Sequence, residues 1–335
     1  MWRYELQALG LDHLLVVTGD LPAPGSGEVR VKIEAVSLNY RDLMIVKGLY
    51  NPRLKTPCTP LSDAAGVVTA VGEGVCDIAV GDRVMTNFIA GWQDGPYRGE
   101  YALTTLGTPG PGVAAEEVLL PAAAVVAMGD RLDFEQAATL PIAAVTAWNA
   151  LVTEGGLRAG QTLVSLGTGG VSIFAVQIGK ALGARVIVTS SSDEKIARAR
   201  QLGADHGVNY RQCEDWAAQV LEITEGRGAD LVVENGGAGT LTQSLRATRP
   251  GGTIAMLGAL TGLRSEIDIA PVLMKRLRVQ GIFVGSRGSF GEMVKFMGEH
   301  GIEPVIDARY PMADLVPALE WMAQGRHFGK IVLHA

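Results

Sequence analysis

The sequence predicts an α/β protein in two parts, a β-rich part and a doubly wound parallel-sheet part. Three observations carry that expectation. In "GEVRVKIEAV" the residues Val29, Val31, Ile33 and Ala35 alternate with mostly polar neighbours, the period of a half-buried strand. From about residue 133 the rhythm changes to strand, glycine turn and helix, repeated several times. The closing stretch "EPVIDARYPMADLVPALEWMAQGRHFGKIVL" returns to mixed structure and is expected to rejoin the first part.

Within the β-rich part, "AGVVTAVGEGV" and "VGDRVMT" read as further strands joined by glycine turns. Residues 86–113 hold many Gly and Pro together with Trp92 and Tyr97, which predicts a surface excursion of the kind that borders a site. In the second part "TLVSLG" is a strand, followed by a helix with Val171, Phe174, Ala175, Ile178 and Leu182 on one face. "ARVIVTSS" is the next strand and "DEKIARARQLGA" the next helix; "DLVVENGG", "GGTIAMLGAL" and "RVQGIFVGS" are later strands.

Composition narrows the function classes. With 335 residues the chain can fill two domains, and 47% hydrophobic against 19% charged residues describes a globular protein. Lys plus Arg number 29 against 35 acids, net −6, without the basic stripe that nucleic acid would require. No apolar run reaches the roughly 20 residues that span a bilayer, and "MWRYELQALG" is not a secretory signal. Cys58, Cys76 and Cys213 are isolated and form neither a disulfide framework nor a metal pair, which suits a reducing cytoplasm.

The strongest chemical signal is "LVSLGTGGVSIFAVQIGKALGARVIVTSSS". Gly167 and Gly169 allow a tight turn and close backbone approach to a pyrophosphate. The following helix, entered through Thr168, Gly170 and Val171, offers free N–H groups and its positive dipole end. The third position of the glycine pattern is Ser172, a departure. An NAD site usually ends its second strand on a carboxylate that accepts from the ribose 2′-OH. Here Thr189-Ser190-Ser191-Ser192 occupies that end, with Lys195 beyond it, so the preferred dinucleotide reads as NADPH, with NADH weaker. The alternative is that Ser192 and Asp193 only cap the next helix and Lys195 is a solvated surface charge.

The chain resembles the medium-chain dehydrogenases/reductases, and specifically their zinc-independent quinone oxidoreductase-like branch, along nearly its full length. The stretches that carry this are "EVRVKIEAVSLNYRDL", "GVVTAVGEGVCDIAVGDRV", "ATLPIAAVTAW", "GTGGVSIFAVQIGKALGARVIVTSSSDEK", "LGADHGVNYR" and "RHFGKIVL". The resemblance implies a GroES-like catalytic domain from residues 1–125 and 286–335, and a Rossmann domain from residues 126–285. It also implies a site in the cleft between them and a homodimer made through the Rossmann sheets.

In the zinc members of that family a Cys, a His and a second Cys stand where this chain has Asn39 in "NYRD", Ser62 before Asp63, and Ile142 in "LPIAAVTAW". Asn, Ser and Ile do not make a zinc site, and Asp63 alone cannot. The resemblance therefore implies no catalytic metal. Charge arriving on an acceptor oxygen must then be met by fixed donors, for which the candidates are Asn39, Tyr40, Arg41, Tyr50 and Ser62. Arg41 either supplies a fixed cation or pairs with Asp42, and Tyr40 faces substrate or the cofactor's phosphates. The same carry-over puts Thr146 near the nicotinamide. Ser191, Lys195 and Tyr210 fall around the adenosine phosphate, unless Tyr210 is a buried strand aromatic. The backbone of 283–285, including Phe283 and Val284, falls at the carboxamide, and Lys330 near the cofactor. The leading reading is an NADPH-dependent reductase of quinones or α,β-unsaturated carbonyls. The alternatives are zinc-free alcohol or aldehyde oxidoreduction and a cofactor-binding protein without turnover.

Overall fold

The computed structural model describes residues 1–335. Its strands are β1 (Trp2–Leu6), β2 (Leu14–Thr18), β3 (Glu28–Ser37), β4 (Asp63–Val71), β5 (Arg83–Thr86), β6 (Glu117–Pro121) and β7 (Val125–Ala127). After these come β8 (Thr162–Leu166), β9 (Arg185–Ser190), β10 (His206–Asn209), β11 (Ala229–Glu234), β12 (Thr248–Met256) and β13 (Arg278–Gly281), and finally β14 (Ile306–Pro311) and β15 (Lys330–His334). The helices that bear on the site are α1 (Tyr40–Val46), α2 (Phe134–Ala138), α3 (Val145–Trp148), α4 (Gly170–Ala181) and α5 (Asp193–Gln201). No helix is long and apolar enough to cross a membrane.

Two compact units result: Met1–Ala143, Ser286–Val294 and Glu303–Ala335 form one, and Ala144–Gly285 with Lys295–Ile302 form the other. The first stretch of the β-rich unit thus runs past residue 125, the boundary expected from sequence. The reason is physical: β7 pairs antiparallel with β5, and α2 packs on β3 and β4.

The first unit is built on a seven-stranded sheet in the order β14-β15-β3-β4-β5-β7, with β6 on β3 as well. Val29, Val31, Ile33 and Ala35 of β3 are buried, as their alternation predicts. Each large aliphatic side chain so buried contributes roughly 1.5–3 kcal/mol. β15 pairs antiparallel with β3, Val332 opposite Ser37, so the chain end does return to this unit. The 86–113 segment is less of a surface loop than its composition predicts. Phe88, Ile89, Trp92, Leu106 and Val113 are buried, and only residues 93–100 form an exposed tip. Trp92 stacks on Tyr101 with centroids 6.2 Å apart and meets Tyr97 edge-on at 5.2 Å, fixing that tip.

The second unit is a six-stranded parallel sheet in the order β10-β9-β8-β11-β12-β13. The order reverses between β8 and β11, which is where such sheets bind ligands. Val164, Ile187, Val232, Ile254, Trp216 and Val220 fill its core. Phe174, Ala175 and Ile178 of α4 are buried as expected, whereas Val171 and Leu182 are half-buried; Ile173 and Val176 take their place. β13 is shorter than the apolar run around it and ends at Gly281, leaving 283–285 past the strand.

Candidate active site

The corner between β3 and α1 gathers most of the predicted catalytic residues. Asn39 has extended backbone (φ −124°, ψ 150°) immediately before α1, and its N–H donates to Asp42 Oδ2 at 2.8 Å. β15 lies beside the end of β3, which places Lys330 here: its Nζ donates to Leu38 O at 2.6 Å and to Asn39 Oδ1 at 2.8 Å. Asp63 opens β4 opposite Ser37 and accepts from Ser62 Oγ and from the Ile142 N–H, each at 3.1 Å. The Asn39 amide also lies close enough to favour the Asp63 charge. The three positions that hold zinc ligands in zinc-dependent relatives are therefore brought together around one carboxylate. As an amide, a hydroxyl already donating to Asp63, and a hydrocarbon, they do not fit zinc, and no group of three or more His, Cys, Asp or Glu side chains converges anywhere.

One sequence expectation changes here. Ser62 is wholly buried with its proton committed to Asp63, so it is not a donor toward substrate. Lys330 is 3% exposed and its ammonium donates to Leu38 and Asn39. Burial raises Asp42 to about 7, against the opposing pull of the Arg41 charge. Burial also raises Asp63, with Lys330, Asn39, Ile142 and Ser62 all pulling the other way. The Lys330 ammonium is pushed down by the same burial and held up by Asp63 and Asp42.

Arg41 and Asp42 do not form the ion pair weighed from sequence. The guanidinium lies over the Tyr50 ring at 4.8 Å and the Phe88 ring at 4.9 Å, and its Nη2 donates to Thr108 O at 2.8 Å. Its Nε and Nη1 are buried and complete no hydrogen bond, whereas the buried Asn39 Nδ2 lies near the Asp63 carboxylate. Tyr40 and Tyr50 are each 42% exposed, so neither ring is locked into the core. Leu61, just before Ser62, is buried with φ 68°, a backbone state that only strong surroundings maintain in a leucine.

In the second unit the glycine turn joins β8 to α4. Gly167 has φ 77°, which a side chain would strain, and a Cβ at Gly169 would meet open space within 4 Å. Gly169 precedes the first turn of α4, whose N–H groups face this opening with Thr168, Gly170 and Val171 around them. Ser172 has a role that a third glycine could not fill. Its Oγ donates to Leu166 O at 2.7 Å and accepts from Asn235 Nδ2 at 2.7 Å. Asn235 also donates to Leu166 O at 2.9 Å, bridging the switch point, while its Oδ1 is buried without a partner. An orphaned acceptor beside an open phosphate turn fits a dinucleotide.

At the end of β9, Ser190 is buried, Ser191 is half-buried, and Ser192 caps α5 by accepting from the Lys195 N–H at 3.3 Å. Tyr210 is 42% exposed and its N–H donates to Ser190 O at 3.0 Å, so it is not a buried strand aromatic. Thr146 is buried in α3. Past β13, Phe283 is followed by Val284 with φ 53°, strained for a β-branched residue, and Asn149 Nδ2 donates to its carbonyl at 2.7 Å.

Sequence reasoning missed Asn235, Asn149 and Glu234. Glu234 is fully buried at the end of β11 and accepts from Gly236 N at 2.7 Å, Gly237 N at 3.0 Å, Thr240 Oγ1 at 2.6 Å and the Ser244 hydroxyl, fixing the loop after the strand. The available signal was a Glu-Asn pair at the end of an apolar strand in "DLVVENGG".

Comparison with known proteins agrees with this architecture. Residues 25–130 match the alcohol dehydrogenase GroES-like domain, and residues 170–299 match the family described as zinc-binding dehydrogenase. A zinc-type alcohol dehydrogenase-like protein of Schizosaccharomyces pombe is 42% identical over 97% of this chain and 96% of its own. A quinone oxidoreductase of Pseudomonas aeruginosa is 32% identical over 99% and 98%. Among solved structures, an NAD-dependent alcohol dehydrogenase superposes with TM-score 0.92 at 36% identity, covering 100% of both chains. A mycobacterial protein complexed with NADPH superposes with TM-score 0.86 at 27% identity, also covering 100% of both. The chain is an oxidoreductase and belongs to the medium-chain dehydrogenase/reductase superfamily, among its quinone oxidoreductase-like and alcohol dehydrogenase-like members.

Proposed function

We propose that the protein reduces quinones or α,β-unsaturated carbonyls with NADPH and without zinc. The observation that carries this reading is the pair of buried, unpaired donors on Arg41 at the start of α1, Nε and Nη1, next to the Asn39 amide. An unmet buried donor costs about 1–3 kcal/mol, and such a concentration suits donors held ready for charge that arrives during reaction. When bound, the cofactor supplies the hydride. The chain's own part is to hold both reactants and to meet the negative charge on the acceptor oxygen, with Asn39, Arg41 and the exposed Tyr40 and Tyr50 hydroxyls as donors. A conjugated acceptor spreads that charge into an enolate or hydroquinone, so neutral donors suffice. One observation favours a second reading: the unpaired N–H groups of Arg41 could also serve the concentrated charge of an alkoxide, as in reduction of simple aldehydes. Protein purified without added metal is expected to contain no stoichiometric zinc and to keep its activity in chelator. One tightly held zinc per chain, with activity lost to chelation, would contradict the zinc-free mechanism.

The residues of the second unit that would hold NADPH are Gly167–Val171 for the pyrophosphate, and Ser190, Ser191, Lys195 and Tyr210 for the adenosine 2′-phosphate. Thr146, Phe283 and Val284 would serve the nicotinamide end. The support is the hydroxyl run that ends β9, where an NAD site would present a carboxylate. Lys195→Ala is expected to weaken NADPH binding about tenfold or more, by the roughly 1.5–3 kcal/mol of a charge-assisted contact, and to leave NADH nearly unchanged. Equal losses for both cofactors would assign Lys195 another role.

We also propose a homodimer joined at the β13 edge of the parallel sheet. That edge strand is unpaired on its outer side and is accompanied by Leu263, Ile269, Leu273 and Met274, the last 85% exposed. Met274→Glu should lower the sedimenting mass from two chains toward one; a wild-type monomer would refute the dimer. A cytoplasmic location accords with three free cysteines, and cell fractionation checks it.

A further inference from the structure

We propose that Asn209 and Gln212 set the cofactor preference of the second unit by clamping the carboxylate of Asp193. This rests on the reading that NADPH is the preferred cofactor, and it concerns how that preference is kept.

The hydroxyl run Thr189–Ser192 is followed directly by Asp193, exposed on the first turn of α5. A carboxylate at this point works against a 2′-phosphate, by repulsion and by offering a ribose 2′-OH the acceptor that NAD sites use. On an exposed helix start, an aspartate ordinarily samples several rotamers. Here both of its oxygens are engaged. Asn209 Nδ2 donates to Oδ1 at 2.8 Å, and Gln212 Nε2 donates to Oδ2 at 2.6 Å.

The clamp is itself preformed. Residues 209–213 fold as a turn, in which the N–H groups of Gln212 and Cys213 both donate to Asn209 O, at 3.1 Å and 3.0 Å. Asn209 Oδ1 accepts from the Arg211 N–H at 3.1 Å, so the Asn209 amide is fixed with Nδ2 toward Asp193. Between the two clamping residues, the Tyr210 N–H donates to Ser190 O at 3.0 Å. One turn therefore touches the end of the hydroxyl run and holds the acid that follows it. The two hydrogen bonds hold the carboxylate against the turn after β10, where Asp193, Asn209 and Gln212 line an open hollow with Ile196, Arg200 and Cys213.

The test compares two ligands that differ only in the 2′-phosphate, 2′,5′-ADP and 5′-AMP, binding to the full-length protein by calorimetry. The wild type is expected to prefer 2′,5′-ADP. In Asn209→Leu/Gln212→Leu that preference should shrink about fivefold or more, as the freed charge approaches the phosphate. Adding Asp193→Asn to the double variant should restore it. Thermal melts confirm that each variant is folded. A wild-type preference that persists unchanged in the double variant overturns the clamp while leaving the NADPH reading in place. A loss that Asp193→Asn does not restore overturns it too, because the effect would not run through the carboxylate. Equal wild-type affinity for the two ligands overturns the NADPH reading and the clamp with it.

Discussion

Asn39→Ala is expected to lower the turnover rate by about 10²–10³ while NADPH affinity changes little, the usual cost of removing a donor aimed at a developing oxyanion. The expectation follows from where Asn39 is held. Its Oδ1 is fixed by Lys330 Nζ at 2.8 Å, so the amide cannot turn over, and its buried Nδ2 is held near the Asp63 carboxylate. Turnover and cofactor affinity are measured on the same preparation, together with a thermal melt, because Asn39 also anchors the start of α1. Unchanged turnover in a folded variant would remove Asn39 from the reaction. Arg41→Met is the informative companion. Should it abolish aldehyde reduction while Asn39→Ala does little, the guanidinium, with its unpaired Nε and Nη1, is the working donor.

Lys330→Met is expected to destabilise the fold by about 1–3 kcal/mol at pH 8, because it leaves Leu38 O and Asn39 Oδ1 without their donor and takes a nearby positive charge from two buried carboxylates. The loss should depend on pH in a definite direction. Asp42 is raised by burial to about 7 from an ordinary 3.8, so its protonated form favours the folded chain. That contribution is full below about pH 4 and is lost as pH rises through 7. Asp63 is shifted in the same direction, and the Lys330 charge restrains both shifts. Without the ammonium both carboxyls rise further, so the variant should be much closer to wild type at pH 5 than at pH 8. Denaturant titrations at the two pH values decide this. Equal losses at both would mean that the lysine acts through packing and its hydrogen bonds to Leu38 and Asn39, not through the carboxylates.

The elements of the fold were largely legible because they rest on local patterns. Alternation in β3 and the glycine turn before α4 each specify their element within a dozen or so residues. The limit at Ala143 was not legible, since it depends on α2 packing against β3 and β4. The candidate site divides in the same way. The glycine turn and the hydroxyl run were visible, whereas the environment of Lys330 was not. It lies 291 residues from Asn39 in sequence, and only the β15–β3 register brings them together. Ser62 was misjudged for a related reason. A serine's hydrogen-bond partner cannot be read from its position, and here the partner is its immediate neighbour Asp63. Asn235 gave no motif at all; its meaning comes from bridging two strands that are adjacent only in the sheet.

The central claim is that a site without zinc, built on the donors at the start of α1, handles delocalised charge better than concentrated charge. The direct measurement is the initial rate of NADPH oxidation by zinc-free protein with quinones, conjugated enones and saturated aldehydes under one set of conditions. The account predicts that quinones or enones are reduced faster than saturated aldehydes. Faster reduction of saturated aldehydes, or no NADPH oxidation with any acceptor despite stoichiometric binding, would contradict it.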